Sequence, residues 1–333
     1  AAMRAGLRED SNLKPRLEGG LAAVRPSDGA ILAMVGGSGF NFANQLNRAS
    51  DIARPMGSSI KPFIYAEAFE SGLWQPGDKI RDAPIKFPAA GGKTWSPQNY
   101  GNKYFGEVTL ETALHRSLNS AAIRVLQRLD LDRVIDLLAK ATGAPRETFP
   151  RDLSLALGTA DLSPLQSAAA YAVFANGGTS VVPYFIQDIE DRNGAIIKQA
   201  APISPQTLLS RATCLKMISV MEGVLKKDGT AYASVLKTGF NIPAAGKTGT
   251  TNDYRDAWFV GYTADVVTTV WVGFDHGAPL RLSSSEAALP IWGAYMRETP
   301  HKASQPAPPP GVTFRDIDPE SGLPHVDHLG CCW

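Results

Sequence analysis

The chain has 333 residues, 44% hydrophobic and 20% charged, with 31 glycines and 24 prolines. That is a globular composition with enough apolar material for one sizeable core or two. A net charge of +1 gives no case for nucleic acid or for an acidic membrane surface as a partner, and neither a transmembrane run nor a secretory signal can be read.

Residues 1–17 are polar and charged and are expected to form a linker. Gly20–Pro26, the turn Ser27-Asp28-Gly29 and Ala30–Gly36 read as a β-hairpin. After the turn Pro55-Met56-Gly57, Ser58 opens a segment carrying Ile60, Phe63, Ile64, Tyr65, Ala66, Ala68 and Phe69. Its apolar residues lie nearly all round, which predicts a buried helix, and Pro62 in the first turn sacrifices no internal hydrogen bond. A Gly/Pro/Asn-rich loop with Trp95 and Tyr100 follows.

A mostly helical stretch comes next. Helices are predicted over Glu107–Arg116, Ser120–Leu129 and Leu131–Ala141, with Gly143 as a stop. Ser163-Pro164 opens another over Leu165–Phe174, closed by Asn176-Gly177-Gly178, and a further helix carrying Cys214, Met217 and Met221 is predicted to begin near Ser204-Pro205. Pro243–Thr250, Ala257–Tyr262 and Val266–Phe274 are three β-rich runs with short connections. Two early and three late strands predict an α/β (α+β) fold: one five-stranded antiparallel sheet flanked by helices, with a mostly helical subdomain inserted between the early and late strands. From residue 299 to 333 a proline-rich tail is expected, leaving 18–298 as the folded domain.

The cysteines Cys214, Cys331 and Cys332 form no disulfide framework. His325, His328, Cys331 and Cys332 match no common zinc spacing, so they read as tail and no metal is expected.

Three motifs in one order carry the chemistry: Ser58-Ser59-Ile60-Lys61, Ser117-Leu118-Asn119 and Lys247-Thr248-Gly249-Thr250-Thr251. Spacing alone is weak, because Ser-x-x-Lys also occurs at Ser11/Lys14 and Ser234/Lys237, and Lys-Thr-Gly also at Lys237. Ser11 lies in the polar linker, without an apolar run for a helix to bury. Ala231–Gly239 reads as a short helix whose lysine falls in the last turn and whose glycine stops it. Ser58 differs: Lys61, three residues on, shares its helix face. An amine near the N-terminus of a buried helix is badly placed for both the macrodipole and solvation. The structural alternative is an N-capping serine beside a snorkelling lysine. For Ser117-x-Asn119 the alternative is a cap joining two helices. Lys247–Thr251 sits on a predicted edge strand after the small residues Ala244, Ala245 and Gly246, which would let a peptide backbone lie alongside. Lys247, Thr248 and Thr250 would offer a charge and two hydroxyls to a terminal carboxylate; the alternative is a polar edge guarded against aggregation.

With these motifs in this order, residues 18–298 resemble the penicillin-binding transpeptidase domain of class A, the bifunctional cell-wall synthases. The resemblance is strongest over Arg54–Phe63, over Gly106–Leu110 through Ser117–Ala122, and over Ala245–Asp253. It includes Leu157-Gly158 and Leu162–Leu165, and Thr251 is typical of class A. The family implies a serine-type D-alanyl-D-alanine transpeptidase that needs no cofactor. Ser58 would form the acyl-enzyme, Lys61 would take its proton, Ser117 would relay a proton to the leaving amine, and Asn119 would hold the substrate amide and Lys61. Lys247, Thr248, Gly249, Thr250 and Thr251 would bind substrate, and the backbone N–H groups of Ser58 and Thr250 would form an oxyanion hole. Trp95 and Tyr100 are candidate cleft-wall residues, with packing on the helical insertion as the alternative.

Peptidoglycan stem peptides and β-lactams are the implied partners, and the location is extracytoplasmic, with any membrane anchor upstream. A glycosyltransferase domain is also expected upstream, since nothing before residue 18 is one. A D,D-carboxypeptidase and a non-catalytic β-lactam or peptidoglycan sensor remain the alternative activities. A class A β-lactamase would need a Glu-x-x-Leu-Asn segment, which this chain lacks.

Overall fold

The computed structural model describes residues 16–301, apart from 43, 89, 200–204 and 252–253. The expected linker with Ser11 and Lys14, the proline-rich tail with its histidines and paired cysteines, Ser204, Asn252 and Asp253 lie outside the described residues.

One five-stranded antiparallel sheet organises the chain. Its strands are β1 (Leu17–Val24), β2 (Ile31–Val35), β3 (Ala245–Thr250), β4 (Asp256–Tyr262) and β5 (Val267–Phe274), arranged in the order β3-β4-β5-β1-β2. The early hairpin joins the late meander through β1 and β5, where Leu21 faces Val270. β3 therefore lies at an edge, paired on one side only, with Lys247 opposite Val260.

Strand alternation divides the apolar residues into two cores. Ala22, Val24, Ala245, Val260, Tyr262 and Val267 face the helical body. Leu21, Ala23, Ala257, Phe259, Val270 and Val272 face the other way. The helical body comprises α1 (Lys61–Glu70), α2 (Leu110–His115), α3 (Asn119–Leu126), α4 (Leu131–Thr142), α5 (Pro164–Ala175) and α6 (Arg211–Glu222). Helices α7 (Tyr232–Thr238) and α8 (Ser284–Glu298) cover the second face, where the buried Trp292 meets Phe240 and Phe259 edge-on. A fully buried ring of this kind stabilises by about 2–3 kcal/mol. Helix α1 runs through the middle of the first core, with Phe63 packed on Tyr171 and Phe174 of α5. Among the described residues no helix is long and apolar enough to cross a membrane.

Several boundaries follow the predicted signals. Gly143 closes α4 in a left-handed conformation, Ser163 forms a capping box with Gln166 at the start of α5, and Gly239 closes α7 just after Lys237. Three others differ. Gly57–Ile60 is a 3-10 turn and α1 begins only at Lys61. Pro62 has no N–H to give the Ser58 carbonyl, which accepts from the Lys61 N–H instead. Gly106–Thr109 is a strand paired with Lys79–Asp82. There Thr109 caps α2 by accepting from the Thr112 N–H, so the helix starts at Leu110. Finally, α6 starts at Arg211, because the Ser210 hydroxyl accepts from the Thr213 N–H.

Candidate active site

Ser58 sits on the 3-10 turn that abuts the edge strand. The turn is held on one side by hydrogen bonds from the Met56 N–H to the Ala160 carbonyl (3.1 Å) and from the Gly57 N–H to the Gly158 carbonyl (3.0 Å). On the other side it lies against β3: a Cβ on Gly57 would come within 2.7 Å of the Thr250 carbonyl oxygen, and one on Gly249 within 2.5 Å of the Met56 carbonyl oxygen. No L side chain fits in that seam. Tyr171 of α5 donates its phenol O–H to the Ser59 carbonyl, tying the turn to the core from below.

Lys61 is fully buried. Its Nζ donates to the Ser117 carbonyl (2.7 Å) and to Asn119 Oδ1 (2.6 Å), and lies 3.4 Å from Ser117 Oγ. Among the described residues no hydrogen bond joins it to Ser58, whose side chain is partly exposed. Lys247 is equally buried, and its Nζ donates to Ser117 Oγ at 2.8 Å and to the Thr248 carbonyl at 3.1 Å. The Ser117 hydroxyl thus lies between two buried amines carried by distant parts of the chain.

Ser117 itself is held in a costly conformation. Its φ is +57°, the left-handed region that L side chains other than Asn and Asp seldom visit. The Ser117 N–H bonds to the Leu114 carbonyl and the Leu118 N–H to the Ala113 carbonyl, which is the Schellman closure of α2 with serine where glycine is usual. A glycine there would remove about 1 kcal/mol of strain, so stability alone does not favour the hydroxyl.

The position of Asn119 depends on residues that no sequence motif marked. Its Nδ2 donates to the Gln98 carbonyl (2.7 Å), and its backbone N–H donates to Asn99 Oδ1 (2.8 Å). Asn99 in turn donates to the buried carboxylate of Asp82 (2.7 Å), which also accepts from the Ser120 hydroxyl and the Phe105 N–H. On the opposite lip, Thr250 Oγ1 lies 2.7 Å from Ser284 Oγ, Ser284 donates to the Gly249 carbonyl, and Thr248 Oγ1 lies 2.9 Å from Thr230 Oγ1. Thr251 is turned toward Asp256, donating to its carboxylate and accepting from its N–H. Trp95 lies on the short strand Thr94–Trp95. It stacks on Phe87 at a centroid distance of 5.4 Å and packs against the helical core. Tyr100 projects into solvent.

Burial sets the charge states. Desolvation holds the Lys61 amine well below the ordinary lysine range; the positive Lys247 adds to this, while the Asp82 carboxylate opposes it. Burial alone pushes Lys247 down to about 7. The site therefore pairs an amine whose burial favours the neutral form with one poised near pH 7 between its cationic and neutral forms. A neutral amine can accept a proton, and a cation beside two threonine hydroxyls can hold a carboxylate.

The sequence pattern of the family described as "Penicillin binding protein transpeptidase domain" matches residues 19–296. The chain is 36% identical to penicillin-binding protein 1A of Pseudomonas aeruginosa, over 96% of this chain and 45% of that protein. To penicillin-binding protein 1A of Aquifex aeolicus it is 39% identical, over 85% of this chain and 38% of that protein. The crystal structure of penicillin-binding protein 1A from Haemophilus influenzae superposes with a TM-score of 0.84 at 29% identity, covering 96% of this chain and 54% of that one. The chain spans less than half the length of the two curated relatives.

Proposed function

Because this chain belongs to the penicillin-binding protein transpeptidase family, of class A type, we propose that it transfers the acyl group of a D-alanyl-D-alanine stem peptide to an amine through an ester on Ser58. In this reading an extended donor adds to the free edge of β3. Its terminal carboxylate is held by Lys247 and the hydroxyls of Thr248 and Thr250, and Asn119 holds its amide. Ser58 Oγ attacks the carbonyl between the two D-alanines and gives its proton to neutral Lys61. Ser117, within reach of both amines, passes a proton to the departing D-alanine amine. The backbone N–H groups of Ser58 and Thr250 stabilise the developing oxyanion, worth about 3 kcal/mol per donor. The glycine seam between the turn and β3 supports this by fixing their separation. An acceptor amine then attacks the ester and regenerates Ser58. A β-lactam mimics the D-alanyl terminus and stops at the ester.

One observation carries the proposal: the Ser117 hydroxyl lies between the buried amines of Lys61 and Lys247. No packing requirement calls for that arrangement, and it strands two lysines out of water. The domain would work on the outer side of the cytoplasmic membrane, where stem peptides are, with an anchor and a glycosyltransferase domain expected in the preceding part of the protein.

Incubating the chain with a stem peptide ending in D-alanyl-D-alanine and an amine acceptor separates the candidate activities by mass spectrometry. Transpeptidation yields the donor joined to the acceptor. Release of D-alanine without a joined product would point to a carboxypeptidase, and an acyl-enzyme that persists without product would point to a sensor.

The lysines also predict a pH profile. Burial and the positive Lys247 depress Lys61 well below the ordinary lysine range, which favours the neutral, proton-accepting form. Lys247 must be cationic to attract the carboxylate, and with its pKa near 7 that form is lost as pH rises. The second-order rate of penicillin acylation is therefore expected to fall as pH increases through 7. A rate that climbs toward the ordinary lysine value of ~10.4 would mean that Lys61 is an ordinary, cationic lysine.

A further inference from the structure

Tyr100 and Tyr254 stand on opposite lips of the groove. Tyr100 directly follows Gln98 and Asn99, the two residues bonded to Asn119. Tyr254 lies just past the end of β3: its N–H donates to the Thr251 carbonyl (3.1 Å) and its carbonyl accepts from the Leu280 N–H (2.6 Å). The two rings meet edge to face with centroids 6.3 Å apart and an interplanar angle of 74°.

Core packing does not account for the pair, since Tyr100 is 76% and Tyr254 36% exposed. Nor is the backbone relaxed. Tyr254 has φ +52°, a conformation that costs a tyrosine about 1–2 kcal/mol and that carries it out over the end of the strand. The strand direction says what lies beneath. A donor adding antiparallel to β3 with its carboxylate near Lys247 and Thr248 runs backward past Thr250 toward Thr251. Its residues upstream of the scissile bond then pass between Asn119 and the end of β3, where the rings meet.

We propose that Tyr100 and Tyr254 form an aromatic roof over the upstream residues of the donor peptide, setting a preference for long stem peptides over short acyl-D-alanyl-D-alanine. The inference rests on the acyl-transfer reading above. Planar amides passing under two phenol rings gain face contacts that a truncated donor forgoes. Because these contacts form on binding, they act mainly through KM.

The test compares kcat/KM for a pentapeptide and for a diacetyl-lysyl-D-alanyl-D-alanine donor, in the wild-type chain and in the Tyr100→Ala/Tyr254→Ala double variant, with a thermal melt of each. The long donor's advantage is expected to shrink about 5-fold in the double variant, the size of one or two aromatic contacts, and through a higher KM. Equal losses for the two donors would overturn the proposal and reduce the pair to a prop for the Asn119 loop. An unchanged ratio would overturn it as well. A wild-type chain acylated by neither donor nor by penicillin would instead sink the acyl-transfer reading, and this inference with it.

Discussion

Replacing Lys61 with methionine is expected to slow penicillin acylation by on the order of 10³, within the range general-base catalysis contributes, while the chain still folds. Methionine matches the length of the buried stem and carries no amine. The substitution leaves the Ser117 carbonyl and Asn119 Oδ1 without their donor, a cost of about 1–3 kcal/mol for each stranded acceptor. It also removes an amine whose burial is unfavourable, as its depressed pKa records. These terms oppose, so the unfolding midpoint should drop modestly at most. Stopped-flow acylation and a thermal melt on one preparation separate the two effects. Acylation within tenfold of wild type would remove Lys61 from the proton transfer.

Gly158→Ala should be among the most damaging glycine-to-alanine changes at the described glycines. A Cβ there would lie 1.8 Å from the Gly57 carbonyl oxygen and 2.4 Å from its carbonyl carbon, at a φ of +75°. The Gly57 turn has nowhere to retreat, since its far side already meets the Thr250 carbonyl oxygen. Its N–H is also bonded to the Gly158 carbonyl. Moving it would open the seam on which Ser58 sits. We expect a loss of about 3–5 kcal/mol, the range of a backbone clash in a packed core, with penicillin labelling lost in parallel. Gly143→Ala is the matched control: its φ is +70°, but a Cβ there meets nothing within 4 Å. It should cost only the conformational strain, about 1 kcal/mol. If denaturant titration gave the two variants equal losses, the Ser58 turn would not be wedged as described.

The sheet was legible because its signals are local. Alternating apolar residues, the Ser27-Asp28-Gly29 turn and the short connections between the late strands each act within a few residues. Gly143, Ser163 and Gly239 were legible for the same reason, since a cap is read from the residue at the helix end. The four-residue strand Gly106–Thr109 was not, because its pairing with Lys79–Asp82 is decided far away in the chain. Nor did any pattern reveal that Pro62 would leave Ser58 on a 3-10 turn, although the missing N–H is plain once considered.

At the candidate site the sequence pointed to side chains able to do chemistry, and it told the two Lys-Thr-Gly segments apart by their settings. The supporting residues stayed invisible. Asp82, Asn99 and Ser120 form a buried network that holds Asn119, yet in sequence they are an ordinary aspartate, asparagine and serine. Ser284, which braces Gly249 and Thr250, looks only like the start of a helix. For Trp95 the sequence left two places open, the cleft wall and the helical insertion; its ring packs on Phe87 and against the helical core.

Peptide mapping after penicillin treatment tests the central claim most directly, applied to the wild type, Ser58→Ala and Ser234→Ala. One penicillin per chain on the peptide containing Ser58, absent in Ser58→Ala and intact in Ser234→Ala, is the predicted outcome. An adduct that survives Ser58→Ala, or that maps to Ser117 or Ser234, would contradict it.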